Sequence, residues 1–321
     1  MNSKTRSKSV DISLERGRDY SRARISTRLS GLRQVRARSQ SAVQAIHRQL
    51  FARRHHNTED APYCLPNDDE EVDRLDQQHY VLRALFGRNY LAPIQAPAYV
   101  LDIGAGTGTW QMEMAAEFPD SQFIGIDISP IQPTSCLPSN CQFEMVNMLE
   151  GLPYQNHRFD YVHQRMVSLG VPTDRWDMLL SEHARVCRPG GWLELLETDW
   201  APCDGGPGAQ QLTHYIRELC KARDCEPRET ANLTSQIEEA GFGDVRRLRV
   251  QLPIGGWGGL IGTQARHVVL SAWEAMRGPM LEHGVATNEQ LDETFALLEA
   301  ELVEQPMWLC LVVYIGQRRA D

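Results

Sequence analysis

The stretch Val100-Leu101-Asp102-Ile103-Gly104-Ala105-Gly106-Thr107-Gly108 restricts the possible folds of this chain more than any other. Residues 98–103 form a short apolar run between Pro97 and Gly104, which predicts a buried strand. Glycines follow at alternate positions 104, 106 and 108. Lacking Cβ atoms, they permit a left-handed backbone and let the main chain and a helix N-terminus approach a ligand closely. A strand, a glycine turn and a helix open a parallel α/β unit.

The chain beyond continues the alternation. Trp110, Met114 and Phe118 recur at i, i+4 and i+8 on a helix that Pro119 stops, and strands are predicted at 122–127, 142–146 and 159–163. A helix carrying Trp176, Leu179, Leu180 and Ala184 leads to a turn, Arg188-Pro189-Gly190-Gly191, and a fifth strand at 192–197. Residues 205–223 read as an inserted loop and helix, and 237–243 as the end of another helix. A strand at 245–252, helices near 262–278 and 288–305, and a last strand at 308–315 complete the pattern. Upstream, Val72, Leu75, His79, Leu82 and Leu85 make an amphipathic helix that starts after Asp68 with acids in its first turn and ends at Gly87. The expected fold is α/β: a Rossmann-like, seven-stranded, mostly parallel sheet with helices on both faces. It occupies one domain over residues 59–321, with helical lid insertions at 203–230 and 253–282.

Glycines alone leave two nucleotide cofactors open. In the dinucleotide fingerprint GxGxxG a glycine or alanine opens the helix at the sixth position, where this chain has Thr109. Asp102, two residues before Gly104, discriminates better. A carboxylate at a strand end meets, directly or through water, the cationic amino group of a methionine moiety, whereas beside a pyrophosphate it adds like-charge repulsion. S-adenosylmethionine (SAM) is therefore favoured over NAD. Asp127 closes the second strand 23 residues after Gly104, where an acid accepts both ribose hydroxyls of either cofactor. Its plainer role is a helix N-cap before Ile128 and Ser129. Asn147 and Met148 end the third strand where an adenine would lie, the amide oxygen facing the exocyclic amine and Met148 the ring. Their plainer roles are a turn Asn and a core Met.

Together the runs VLDIGAGTGTW, GIDISPIQP, LPSNCQFE, NMLEGLPYQNHRFDYVHQRMV and RVCRPGGWLELLE resemble the class I SAM-dependent methyltransferases of fungi, in particular the LaeA-like group named for a regulator of secondary metabolism. The upstream PYCLPNDDEEVDRLDQQHYVL resembles that group's lead-in, so the similarity spans residues 61–200 strongly and 235–320 loosely. The resemblance implies that Asp102, Gly104, Gly106 and Gly108 surround the methionine part of SAM. It puts Asp127 on the ribose, Asn147 and Met148 on the adenine, and Tyr63 over the bound cofactor. Many class I enzymes carry Asp at the Asn147 position, which makes the adenine contact weaker here. It further implies methyl transfer to a small natural product or a protein. The alternative is a regulatory SAM-binding subunit of a nuclear complex controlling secondary metabolism and development.

The SAM sulfonium already activates its methyl group, so the protein mainly supplies alignment and exclusion of water. Where the acceptor must lose a proton, His163 at the end of the fourth strand is the candidate general base; packing or hydrogen bonding is its plainer role. Arg165 either binds an acidic substrate or pairs with a helix carboxylate, and pairing is the expectation. Trp200 and Trp257, with the glycine-rich run 255–259, line an aromatic pocket or mobile lid, or else pack ordinarily.

Charge divides the chain. Residues 1–58 hold fourteen Lys and Arg against three acids, a net +11 within a total of -9, so the remainder carries -20. This Ser/Arg-rich arm has too few apolar residues to offset chain entropy and is expected to be disordered. Basic arms mark nuclear import, nucleic-acid contact or an acidic partner. The arm therefore fits a nuclear regulatory partner, while nucleic-acid binding is not expected of the rest of the chain. No apolar run reaches the roughly 18 residues of a membrane span, and the eight cysteines show no CxxC pair, so an intracellular, nuclear or cytoplasmic protein without a zinc site is expected.

Overall fold

The computed structural model describes residues 53–54, 63–225 and 233–320. The chain divides after Arg53, and the architecture below is that of the second unit, Arg54–Asp321. The basic arm expected over 1–58 lies outside the described residues apart from Arg53 and Arg54, as do positions 226–230 of the first expected lid.

Helix α1 (Asp69–Phe86) starts where Asp68 accepts from the Glu71 amide and ends at Gly87, whose left-handed φ of 70° lets its amide reach the Arg83 carbonyl. The repeating units follow: β1 (Tyr99–Ile103), α2 (Thr109–Glu117), β2 (Gln122–Asp127), β3 (Cys141–Met145), β4 (Phe159–Arg165), α3 (Trp176–Val186) and β5 (Cys187–Cys203). Then come α4 (Pro207–Ala222), α5 (Thr234–Glu239), β6 (Phe242–Pro253), α6 (Gly259–Ala275), α7 (Arg277–Glu282), α8 (Asn288–Glu304) and β7 (Trp308–Arg318).

The seven strands lie in the order β3-β2-β1-β4-β5-β7-β6. The first four pairings are parallel, and β7 runs antiparallel to both β5 and β6. The alternate residues of β1 divide the core: Val100 packs with Trp110, Met114 and the α4, α6 and α8 layer, while Leu101 and Ile103 pack with α3 and α5. Because the order runs outward from β1 in one direction and from β4 in the other, a crevice opens past their carboxyl ends. Everything functional below sits there.

The expected fold class holds, and local boundaries moved for identifiable reasons. Arg188-Pro189-Gly190-Gly191 is not a turn before β5 but an irregularity inside it, between the Phe159↔Cys187 and Tyr161↔Trp192 pairings, with Gly190 at φ 77°. The helix expected to end at 243 stops at Glu239, and Phe242 is already paired with Arg318. The helix expected over 262–278 breaks after Ala275 and restarts as α7. In the inserted region α6 packs on α1 and α8 on α4. The Glu301 carboxylate of α8 accepts from the Gly208 and Ala209 amides at the start of α4, supplying the cap its own sequence lacks. No described helix is long and apolar enough to cross a membrane.

Candidate functional site

A cleft opens at the carboxyl ends of the strands. The segments after β1, β3 and β4 contribute Gly104 and Gly106, Asn147 with Met148, and Val167, and the last residue of β2 contributes Asp127. Tyr63, Arg74 and Gln78 from the lead-in, and Trp200 from β5, close it.

The glycine turn works differently from the sequence expectation. The Gly104 and Ala105 amides both bond the Ile126 carbonyl at 2.9 Å, the Gly106 amide bonds Asp127 Oδ2 at 2.9 Å, and the Gly108 amide bonds the Ala105 carbonyl. Four loop amides are thus consumed within the protein and cannot cradle a pyrophosphate, which requires such donors. Close approach is what the loop offers. Gly104, at φ 71°, has Val167 Cγ1 2.5 Å from where its Cβ would stand. Gly106, at φ 57°, has only Leu75 Cδ1 at 3.7 Å. Gly108 departs from its expected place: it does not line the cleft, and its open side holds the Phe143 ring of β3, 2.2 Å from a built Cβ.

Asp127 stands in the cleft wall. Its Oδ1 accepts from the Ser129 amide at 2.8 Å and its Oδ2 from Gly106, so the carboxylate is fixed in the cleft wall with further lone pairs for ligand hydroxyls. Burial raises its pKa while those two amides pull it down. Asn147 and Met148 also line the cleft, but Asn147 Oδ1 caps the 3₁₀ turn Met148–Glu150 through the Leu149 amide and its Nδ2 bonds Glu150. Tyr63 reaches the cleft wall and packs on Gly170, 3.3 Å from a Cβ built there; burial drives its phenol pKa upward.

Three further expected residues, Asp102, His163 and Trp257, lie elsewhere. Asp102 is 4% exposed, does not line the cleft and bonds His163 Nδ1 at 2.7 Å. His163 is stacked on Trp110, with ring centroids 3.7 Å apart and planes 6° from parallel. Its ring belongs to a smaller pocket with Arg165, Glu194 and Leu196. A histidine clamped between a carboxylate and an indole, away from the cleft, is placed to hold β1 and β4 together and not to deprotonate an acceptor there. Trp257 also misses the cleft and stands edge-on to Trp308 at 4.2 Å, whereas Trp200 lines it.

The largest omission of the sequence reading is the inward face of α1. That face is polar: Glu71, Arg74 and Gln78 are buried. Arg74 donates to both Glu71 oxygens, Nε at 2.9 Å and Nη2 at 2.5 Å, and its Nη1 reaches Gln78 Oε1 at 2.8 Å. Asp76 of the same helix accepts from the Thr107 and Thr109 hydroxyls at 2.6 and 2.5 Å, tying the helix to the glycine turn. A polar stripe at i, i+3 and i+7 beside the apolar one was the available signal. Met166 (φ 55°) and Trp200 (φ 57°) are bulky residues with left-handed backbone, costing about 1–2 kcal/mol each, and both line the cleft. Such strain gathers where function requires it.

The family profile described as Methyltransferase domain matches residues 100–191, which carry β1 to β4 and the start of β5. Methyltransferase str2 of Strobilurus tenacellus is 32% identical over 201 residues, 60% of this chain and 71% of that protein. Methyltransferase pytC of Aspergillus terreus is 33% identical over 216 residues, 64% of this chain and 65% of its own length, so the match spans slightly under two thirds of pytC. The secondary metabolism regulator laeA of Aspergillus flavus is 32% identical over 64% of this chain and 57% of that protein. The chain belongs to the methyltransferase family that these fungal proteins share, and its α/β sheet is a SAM-dependent methyltransferase domain.

Proposed function

We propose that the chain transfers the methyl group of SAM to a small-molecule acceptor of the kind elaborated in fungal secondary metabolism. The observation that carries this is the cleft itself: Asp127 is held for a ribose while the loop amides that a dinucleotide would need are already bonded. SAM supplies an electrophilic methyl when bound. The protein's own residues bind and enclose it. Gly104 and Gly106 bring the turn close to the methionine part, Asp127 takes the ribose, Asn147 and Met148 flank the adenine, and Tyr63 covers the site from the lead-in. Among the described residues that line the cleft no side chain is placed as an obvious base, and transfer by alignment and exclusion of water needs none.

Calorimetric titration of the full chain with SAM and with NAD tests the assignment. SAM should bind and NAD should not, and Asp127→Ala should weaken SAM about a hundredfold, the worth of two charge-assisted hydrogen bonds. Absence of SAM binding by the wild type, or equal affinity for NAD, overturns it.

A second proposal is a regulatory SAM-binding subunit of a nuclear complex. The +11 charge of residues 1–58 favours it and, with it, a nuclear location over a cytoplasmic one. Deleting residues 1–58 should move a tagged protein out of the nucleus while SAM binding stays unchanged. An unaltered distribution counts against a targeting arm.

A further inference from the structure

Two thiols meet across the sheet on the far side of the segment that carries Trp200. Cys203 ends β5 and Cys310 lies in β7, 107 residues further along the chain, yet their sulfurs stand 3.3 Å apart. The strand register explains the approach. Cys203 is opposite Trp308, so Cys310, two residues on, is its diagonal neighbour on the same face of the sheet. A disulfide needs sulfurs about 2.05 Å apart, so these must close by about 1.3 Å. The register between β5 and β7 shifts between Thr198 and Pro202, and this irregular stretch gives the end of β5 the slack to move. Neither thiol is sealed from solvent. Both are half-buried, and on β6 Gln251, opposite Cys310, and Arg249 beside it are exposed.

The two sulfurs are not equivalent. The Cys203 thiol donates to Cys310 Sγ, and Arg249 Nη2 donates to the same sulfur at 3.9 Å. Burial pushes the Cys203 pKa up to about 12, helped by the contact with Cys310 and by the Asp199 and Asp204 carboxylates. Cys203 is thus kept as a thiol. Cys310 is the sulfur on which a guanidinium and a second donor converge, the setting of an attacking thiol.

We propose that Cys203 and Cys310 are a redox-active pair, oxidised by hydrogen peroxide to a reversible disulfide that ties β5 to β7 just past the segment holding Trp200 in the cleft wall. Cys310, its proton lost to solvent, attacks one peroxide oxygen: an S–O bond forms, the O–O bond breaks, and the departing hydroxide takes a proton from solvent to become water. Cys203 then attacks the Cys310 sulfur. An S–S bond forms as the S–O bond breaks, and the second hydroxide leaves as water with the Cys203 proton. Two thiols lose two electrons and peroxide gains them. A small dithiol reverses the bond by exchange. The bond closes a loop of more than a hundred residues in the unfolded chain, so the oxidised protein is the more stable form. It also restricts the end of β5, where Trp200 is held at φ 57° with its indole on Ser168 and its carbonyl on the Trp273 indole.

The full chain, reduced and freed of reductant, is treated with hydrogen peroxide, digested without reduction and mapped by mass spectrometry. A cross-linked pair of peptides carrying Cys203 and Cys310 should appear, and the Tm of the intact protein should rise by about 4 °C or more. Dithiothreitol should reverse both changes. Cys203→Ser should show neither, and dimedone should trap a sulfenic acid at Cys310 in that variant, whereas Cys310→Ser should leave position 203 unlabelled. Cys136→Ser, which removes an exposed thiol, should behave as the wild type. The peptide map of the wild type stands even where a serine variant fails to fold. The inference is overturned if the wild type forms no bond between 203 and 310, if either sulfur pairs instead with another cysteine or another molecule, or if Cys310 passes to the sulfinic acid without capture by Cys203. A bond that forms but leaves the Tm unchanged or lower overturns its part as a tie between the strands.

Discussion

Gly104→Val should leave the chain without measurable SAM binding and less stable by about 2–5 kcal/mol. Two costs combine. Gly104 sits at φ 71°, where an L side chain costs about 1–2 kcal/mol and a β-branched one more. Its Cβ would also stand 2.5 Å from Val167 Cγ1. Val167 cannot easily retreat, because it is 7% exposed and its amide is bonded to Glu197. Overpacking of this kind costs about 1–3 kcal/mol, against total stabilities of about 5–15 kcal/mol. The strain falls on a turn whose amides are tied to Ile126, so the cleft wall shifts with it. Gly106→Ala is the matched control. Its φ of 57° carries the backbone cost, but Leu75 Cδ1 at 3.7 Å leaves room for a methyl group. Urea unfolding and calorimetry on both variants measure the difference. Equal losses in the two would show that the approach of Val167 is not what requires glycine at 104.

This contrast also shows which parts of the site the sequence could reveal. The strand, the glycine turn and Asp127 were legible because a tight βα turn demands particular residue types at fixed spacing. The seven-stranded α/β class followed from alternation alone. What the glycines individually accommodate was not legible, since that depends on contacts distant in sequence: Val167 for Gly104 and Phe143 for Gly108. Asp102 read as a cofactor contact because its position along the chain is right. Its partner, His163, stands across the β1/β4 pairing, and the Asp102↔His163 register exists only once the sheet forms. The inward face of α1 was missed for a related reason. An apolar stripe is the usual sign of a buried face, but this helix buries Glu71, Arg74 and Gln78 because they satisfy one another. Arg165 drew attention as a charged residue at a strand end, but the carboxylates that act on it belong to Asp102 of β1 and Glu194 of β5 and not to a helix, which its place in the chain could not show.

Glu197→Gln should abolish a pH dependence of stability that the wild type shows between about pH 4.5 and pH 7. Glu197 is fully buried, and its pKa is pushed up to about 7, chiefly by desolvation, against the pull of the Val167 and Ser168 amides at 3.2 Å. A carboxyl whose folded pKa exceeds its unfolded value binds more protons in the native state across that interval. Its contribution to stability therefore falls as pH rises from the unfolded pKa to the folded one, by about 3 kcal/mol for a shift of this size. In the neutral form its hydroxyl can donate to Gln164 Oε1, a buried oxygen otherwise without a partner, once that amide turns over. A glutamine at 197 removes the titrating group: its carbonyl can take the place of Oε2 and accept from the Ser168 amide, while its NH₂ takes the place of Oε1 beside Gln164 and leaves the Val167 amide without that acceptor. Losing the Val167 bond should leave the variant about 1 kcal/mol less stable than the wild type near pH 5, and relative to the wild type it should gain about 2–3 kcal/mol between pH 5 and pH 8. Subtracting the two unfolding free energies at each pH cancels the other titrating groups, and curves that stay parallel from pH 5 to 8 would refute the assignment. Because Glu197 anchors the segment that brings Val167 and Gly170 into the cleft, and Ser168 in that segment bonds the Trp200 indole, SAM affinity in the wild type should drift over the same interval and hold steady in the variant.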